Sequence, residues 1–61
     1  MIIVKIYKDG DYYWLASQNA TFKAAWGDGI RAAAGIVLTN MQEINTWARQ
    51  NGHEVQFEFA D

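Results

Sequence analysis

The chain has 61 residues, of which 51% are hydrophobic and 15% aromatic, and five basic against seven acidic side chains give a formal net charge of -2. This length predicts a single domain over 1–61, and the absence of Pro and Cys excludes collagen-like and disulfide-stapled folds. The acidic balance makes nucleic acid a poor default partner, and a small domain without disulfides suits a reducing cytoplasm.

The first predicted element is a β-hairpin. Asp9-Gly10 lies between two apolar stretches, and Asp-Gly is a strong hairpin signal because a type I′ turn needs positive φ at both central positions. We therefore expect strands over 2–8 and 11–17, with Tyr7 opposite Tyr12. One face of this hairpin is predicted to pack into the core and the other is unusually aromatic. The core face carries Ile2, Val4, Ile6, Tyr13 and Leu15, and the other carries Ile3, Lys5, Tyr7, Tyr12, Trp14 and Ala16.

A third strand and a long helix are predicted next. After the polar break 17–19, Phe22, Ala24 and Trp26 alternate with polar or small residues, which predicts a strand over 20–26. Asp28, between two glycines, is the expected N-cap of the following helix. From position 30 the apolar residues recur with helical spacing, which predicts a helix over 29–50. Its stripe is Ile30, Ala33, Ala34, Val37, Met41, Ile44 and Ala48.

The last predicted element is a strand over 53–60. Asn51-Gly52 is a typical helix stop, and beyond it Val55, Phe57 and Phe59 alternate with Glu54, Gln56 and Glu58. A right-handed crossover returns this strand parallel to the first one. The expected fold is therefore α+β, a β-β-β-α-β chain whose four-stranded mixed sheet has the order 3-2-1-4 and one long helix on one face.

Two segments of this pattern resemble a known family. The Lys8-Asp9-Gly10-Asp11-Tyr12 hairpin and Trp26-Gly27-Asp28-Gly29 before a long amphipathic helix are similar to the partial RNase H-like domain of HicB antitoxins. The resemblance implies a non-enzymatic, self-associating inhibitor that sequesters a small toxin or nuclease. The Pro-Gly-rich segment that HicB-like domains commonly carry before the third strand is missing here. The DNA-binding segment of family members has no counterpart in residues 1–61, so operator binding is not carried over.

The sheet face opposite the helix is the predicted interaction surface. One helix covers only one face, so we expect another molecule to cover the aromatic one. Aromatic side chains beside lysines could also stack bases, but Glu54 and Glu58 on the same face would repel a phosphate backbone. Trp and Tyr are common anchors of protein interfaces. The predicted protein-binding residues are Lys5, Tyr7, Tyr12, Trp14, Lys23, Glu54 and Glu58.

A second candidate interface lies on the predicted helix. Ile36 and Trp47 fall to the side of its main apolar stripe. The alternative interpretation places both at the periphery of the core, where a Trp packs over a sheet edge.

Catalytic and metal sites are not predicted. No local signature joins His53 to a Ser or Thr nucleophile. Asp9, Asp11 and Asp28 could form a cation site, but Asp9 and Asp11 are explained by the turn and Asp28 by the helix cap. The segment 27–32 fits a Gly-x-Gly-x-x-Ala pattern, but an antiparallel meander with a carboxylate at the phosphate position disfavours a nucleotide. We therefore expect no enzyme activity, no metal and no cofactor.

The functional hypothesis is a cytoplasmic, non-enzymatic inhibitor that binds a basic protein client, such as an RNA-cleaving toxin, through the aromatic sheet face. We expect a homodimer that uses this face and an edge strand, and no membrane insertion, because the apolar run 1–4 is too short to span a bilayer. Two alternatives stay open. One is a phage-encoded inhibitor of a bacterial CRISPR-type defence nuclease. The other is a small nucleic-acid or ligand-binding domain.

Overall fold

The computed structural model describes residues 1–60, and its central element is a four-stranded mixed sheet. The strands are arranged in the order 3-2-1-4, which confirms the predicted α+β class and sheet order. The chain has two helices, however, and the order of elements is β-β-α-β-α-β. The elements are β1 (Ile2–Asp9), β2 (Tyr12–Ala16), α1 (Ala20–Trp26), β3 (Ile30–Ala33), a 3₁₀ turn (Ala34–Ile36), α2 (Val37–Gln50) and β4 (Val55–Ala60).

The β1–β2 hairpin forms as predicted, but its register is shifted by two residues. Asp9 pairs with Tyr12 and Tyr7 pairs with Trp14, whereas the predicted pair Tyr7–Tyr12 is wrong. The loop is Gly10-Asp11, and Gly10 has a φ of 63° while no non-glycine residue among 1–60 has a positive φ. This matches a type II′ turn, which needs positive φ only at its first central position. Because the shift is an even number, each side chain keeps its predicted face.

The predicted strand over 20–26 is wrong, since these residues form α1. The side chain of Asn19 accepts hydrogen bonds from the backbone N–H groups of Thr21 at 2.9 Å and Phe22 at 3.2 Å. Such a cap satisfies amides that would otherwise lack partners in the first turn. Phe22 and Trp26 are four residues apart, a spacing that lies on one side of a helix as well as of a strand. The cap resolves this ambiguity.

The third strand lies further along the chain, in β3. Ile30 pairs with Leu15 and Tyr12 pairs with Ala33, so β3 runs antiparallel to β2. The predicted helix start at 29 is therefore wrong, and Asp28 does not cap a helix. The helix α2 begins at Val37, directly after the 3₁₀ turn. The predicted apolar stripe is consequently divided between a strand and a helix.

The C-terminal end of α2 agrees with the prediction. Gly52 has a φ of 73°, and its N–H donates to the carbonyl of Arg49 at 3.2 Å. The N–H of His53 donates to the carbonyl of Ala48 at 2.8 Å. These two bonds form a Schellman motif, which satisfies the last carbonyls of the helix. The chain then reverses into β4, which pairs parallel with β1 from Ile2↔Val55 to Tyr7↔Ala60, as predicted.

The core lies between the sheet and α2 and is closed at one end by α1. Phe22 on α1 is fully buried, and its ring lies 6.2 Å from that of Trp47 on α2. Side chains at alternate positions of β1 fill the centre of this core. The buried core cluster is Ile2, Val4, Ile6, Leu15, Phe22, Ala32, Val37 and Ile44.

The N-cap of α1 gives a direct test of this element. Asn19→Ala removes the acceptor of two backbone N–H groups and is expected to lower the free energy of unfolding by about 1 kcal/mol, whereas Asn19→Asp, which keeps a capping oxygen, is expected to be nearly neutral. Urea denaturation followed by circular dichroism measures both changes. Equal stability of the wild type and the Ala variant would contradict a capped helix at this position.

Candidate protein-binding face

The sheet face opposite α2 is left uncovered over its central strands by residues 1–60. We call it the open face and define it by Lys5 and Tyr7 of β1, Tyr12 and Trp14 of β2, Arg31 of β3 and Glu58 of β4. The register places these side chains on the same side of neighbouring strands. Tyr7 and Tyr12 are 41% and 42% exposed, which is high for aromatic residues within a sheet. The aromatic character predicted for this face is thus present at its centre.

The open face contains a groove of about 430 Å³. Tyr7 and Trp14 line it together with the ammonium-bearing side chains of Lys5 and Lys23 and the carboxylate of Asp28. The sequence pattern predicts Lys23 on this surface as part of a strand, whereas it reaches the groove from α1. The groove therefore combines two aromatic rings with charges of both signs, a composition suited to a polar or charged side chain with an apolar stem.

Trp14 is the least exposed of the three aromatic residues of the open face. It is half-buried, and its indole packs directly against the backbone of Gly29, where a Cβ atom in place of the glycine hydrogen would lie 2.5 Å from the Cε2 atom of the ring. Gly29 has a φ of 157°. The glycine thus allows the loop before β3 to approach the ring, and the loop holds the ring in one place. A ring that is already fixed loses little conformational entropy when a partner binds.

Arg31 is a residue of the open face that the sequence pattern does not predict. Its guanidinium carbon lies 4.3 Å from the centre of the Tyr12 ring, a cation–π contact. It also pairs with Trp14 across the β2–β3 ladder. The predicted helix over 29–50 places it on a solvent-exposed helix surface. Arg31 lies on the open face because residues 30–33 form β3 and pair with β2. The local sequence contains no signal for that pairing.

Acidic and amide side chains occupy the β4 side of the open face. Glu58 is the register neighbour of Lys5, and the side-chain amide of Gln56 donates to the Glu58 carboxylate at 3.3 Å. Glu54 precedes β4 and is exposed, while its backbone carbonyl accepts from the N–H of Ile2 at 2.8 Å. The open face is therefore anionic at the β4 edge and carries the cationic Arg31 at the β3 edge.

The second candidate interface is not one surface. Trp47 is half-buried, and its ring makes an edge contact with Trp26 at 5.9 Å and a tilted contact with His53 at 6.2 Å. Ile36 is 50% exposed and lies eleven residues earlier, roughly 16 Å away along the helix axis. Trp47 thus belongs to the periphery of the core, whereas Ile36 is exposed, as is Leu38 two residues further on.

Neither a metal cluster nor a membrane span is present in the described part of the chain. Among residues 1–60 no three His, Asp or Glu side chains lie together in a way that could hold a metal ion. None of the helices in that range is long and apolar enough to cross a membrane. The chain matches no model of a known protein family, no curated protein and no solved structure. Functional inference therefore depends on the geometry of the open face.

The packing of Trp14 against Gly29 can be tested with a pair of glycine variants. Gly29→Ala is expected to displace the indole and to lower the free energy of unfolding by about 1–3 kcal/mol, because the new methyl group overlaps the ring. Gly35→Ala is the control: a Cβ there meets nothing within 4 Å, so its stability should stay within about 0.5 kcal/mol of wild type. Thermal unfolding gives the stabilities, and the indole N–H signal of Trp14 in the NMR spectrum reports its position. An unchanged Trp14 signal in Gly29→Ala would contradict the packing.

Proposed function

We propose that the chain is a non-enzymatic protein-binding module that inhibits a basic client, such as a small toxin or nuclease, by covering its functional surface. The observation that carries this proposal is the groove of the open face, where Trp14 and its register neighbour Tyr7 line the same surface as Lys5 and Lys23. Protein interfaces are enriched in Trp, Tyr and Arg and are surrounded by polar groups. The open face has all of these features.

The charge distribution supports a protein client over a nucleic acid. A phosphate backbone needs a continuous cationic track, because binding comes mainly from the release of its counterions. Here Glu58 lies directly beside Lys5, and Asp28 lines the same groove as Lys23. A protein surface of alternating charge can match this pattern pair by pair. The acidic β4 edge favours a client that is basic on that side.

Inhibition would follow from occlusion, with no bond made or broken by this chain. A domain whose extents are 33 × 20 × 18 Å is large enough to cover the active site of a small RNA-cleaving toxin. We place this activity in the cytoplasm, where such clients act, and we include self-association in the proposal. The same surface would serve a phage inhibitor of a bacterial defence nuclease, and the identity of the client distinguishes these two roles.

The experiment that tests this proposal uses a photo-crosslinking amino acid. A crosslinker at Tyr12 on the open face is expected to trap one major client in host lysate, and one at Thr46 on the exposed surface of α2 is the matched control. Mass spectrometry then identifies the client. Trapping from both positions to a similar extent would show that the open face is not selective.

The purified client allows the affinity and the inhibition to be measured. Trp14→Ala removes the anchor ring and is expected to weaken binding by about 30-fold or more, the range of an interface hot spot. Thr46→Ala should leave the affinity unchanged. Titration of client activity should reach full inhibition at an equimolar ratio. Tight binding without any loss of client activity would refute the inhibitory role.

Oligonucleotide binding is the alternative that Arg31 and the two lysines of the groove favour. Fluorescence anisotropy with labelled single-stranded DNA and RNA tests it, because counterion release gives a steep loss of affinity with salt. Micromolar binding with such a slope, abolished by Trp14→Ala, would replace the protein client with a nucleic acid.

A further inference from the structure

The two edges of the sheet are protected to different extents. At one edge, β3 has only four residues and is followed immediately by the 3₁₀ turn. At the other, β4 has six residues, with neither Pro nor Lys. Natural edge strands are usually kept apart by shortness, proline, charged side chains (lysine above all), a bulge or a covering element. The strand β4 is not short, contains neither proline nor lysine and has Glu58 as its single charged side chain, and Phe59 near its end is 66% exposed.

The pairing of β4 with β1 determines which backbone groups are free at this edge. The carbonyl of Glu54 accepts a hydrogen bond from the N–H of Ile2. In a parallel ladder, the backbone N–H and C=O groups of alternate residues bond to one neighbouring strand, and those of the residues between them point to the other side. The even-numbered residues of β4 therefore bond to β1. The N–H and C=O groups of Val55, Phe57 and Phe59 point outward from the free edge, in the plane of the sheet, and are available to another strand.

These free groups allow only a few antiparallel pairings of β4 with a second β4. Odd residues must lie opposite odd residues, since only they present bonding groups. With Phe57 opposite Phe57, three residue pairs exchange six hydrogen bonds, and Gln56 lies opposite Glu58 twice. If the pairing of the two strands is shifted in one direction, only two such residue pairs remain within β4, and Glu58 lies opposite Glu58. If it is shifted in the other direction, Gln56 lies opposite Gln56 and Glu58 lies opposite Glu54. Like charges directly opposite one another are destabilising.

We infer that β4 joins two copies of this chain in an antiparallel pair centred on Phe57, which gives a continuous eight-stranded sheet. Val55 of each copy lies opposite Phe59 of the other, so the exposed Phe59 ring gains an apolar neighbour. The two-fold axis is perpendicular to the sheet, so both α2 helices lie on one side and both open faces on the other. The dimer rests on the self-association included in the proposed function, and it forms whether or not a client is bound.

Cysteine pairing tests the register directly, because the chain has no cysteine of its own. Gln56→Cys and Glu58→Cys are made as single variants at exposed positions. In the inferred dimer these positions face each other as a non-hydrogen-bonded pair, with Cα atoms about 4.5 Å apart, within disulfide range. An equimolar mixture under mild oxidation is expected to form disulfide-linked heterodimers at least tenfold faster than either variant alone. Non-reducing gels and mass spectrometry measure the rates.

Each other pattern would overturn the inference. If Glu58→Cys by itself forms disulfides faster than the mixture does, the register has Glu58 opposite Glu58. If Gln56→Cys by itself is faster than the mixture, the register has Gln56 opposite Gln56. Linkage no faster than that of Arg49→Cys, on the exposed surface of α2, shows that β4 is not an interface. The same conclusion follows if sedimentation equilibrium of the wild type finds only monomer at 1 mM.

A charge series provides a second measurement without cysteine. Gln56→Lys places an opposite charge across from Glu58 of the second copy, whereas Gln56→Glu places a like charge there. The dimer dissociation constant is expected to differ by about tenfold between the two variants, with Gln56→Lys tighter. Equal constants would refute the register. Trp14→Ala separates the two proposals, since it should weaken client binding by about 30-fold or more and leave disulfide linkage in the mixture unchanged.

Discussion

The central position of β1 is the constraint on which the rest of the structure depends. This strand bonds to β2 on one side and to β4 on the other, and its alternate residues Ile2, Val4 and Ile6 are almost fully buried. Because side chains alternate along a strand, burying these three fixes Lys5 and Tyr7 on the opposite side. The same constraint therefore produces both the core and the open face.

The N-terminal hairpin and the C-terminal helix and strand could be predicted because their sequence patterns are long and regular. The hairpin and the glycine stop after α2 follow from signals between neighbouring residues, and the parallel return of β4 follows from the general rule for a strand–helix–strand crossover. Even the wrong hairpin register kept Tyr7, Tyr12 and Trp14 on the correct face, because an even shift preserves side-chain direction. The aromatic centre of the site was therefore predictable, although the pairing of its residues was not.

The middle of the chain could not be assigned from local patterns. Phe22 and Trp26 share a side in either a strand or a helix, so the seven residues of α1 were ambiguous, and Asn19 alone carried the distinguishing signal. The strand β3 is short and contains two alanines, which have little intrinsic preference for a strand. Its position is determined by pairing with β2, a contact distant in sequence. The local pattern therefore gives no indication of Arg31 on the open face, and it predicts Lys23 there on a strand rather than on α1.

The uneven charge of the open face has a kinetic consequence. With Glu58 near one edge of the sheet and Arg31 near the other, the face carries an electric dipole across its width. At physiological ionic strength such a field extends about 8 Å into solution, so the proposed client would be rotated into alignment before any side chains touch. Orientation would then be selected during diffusion, and the aromatic rings would govern how long the aligned pair persists.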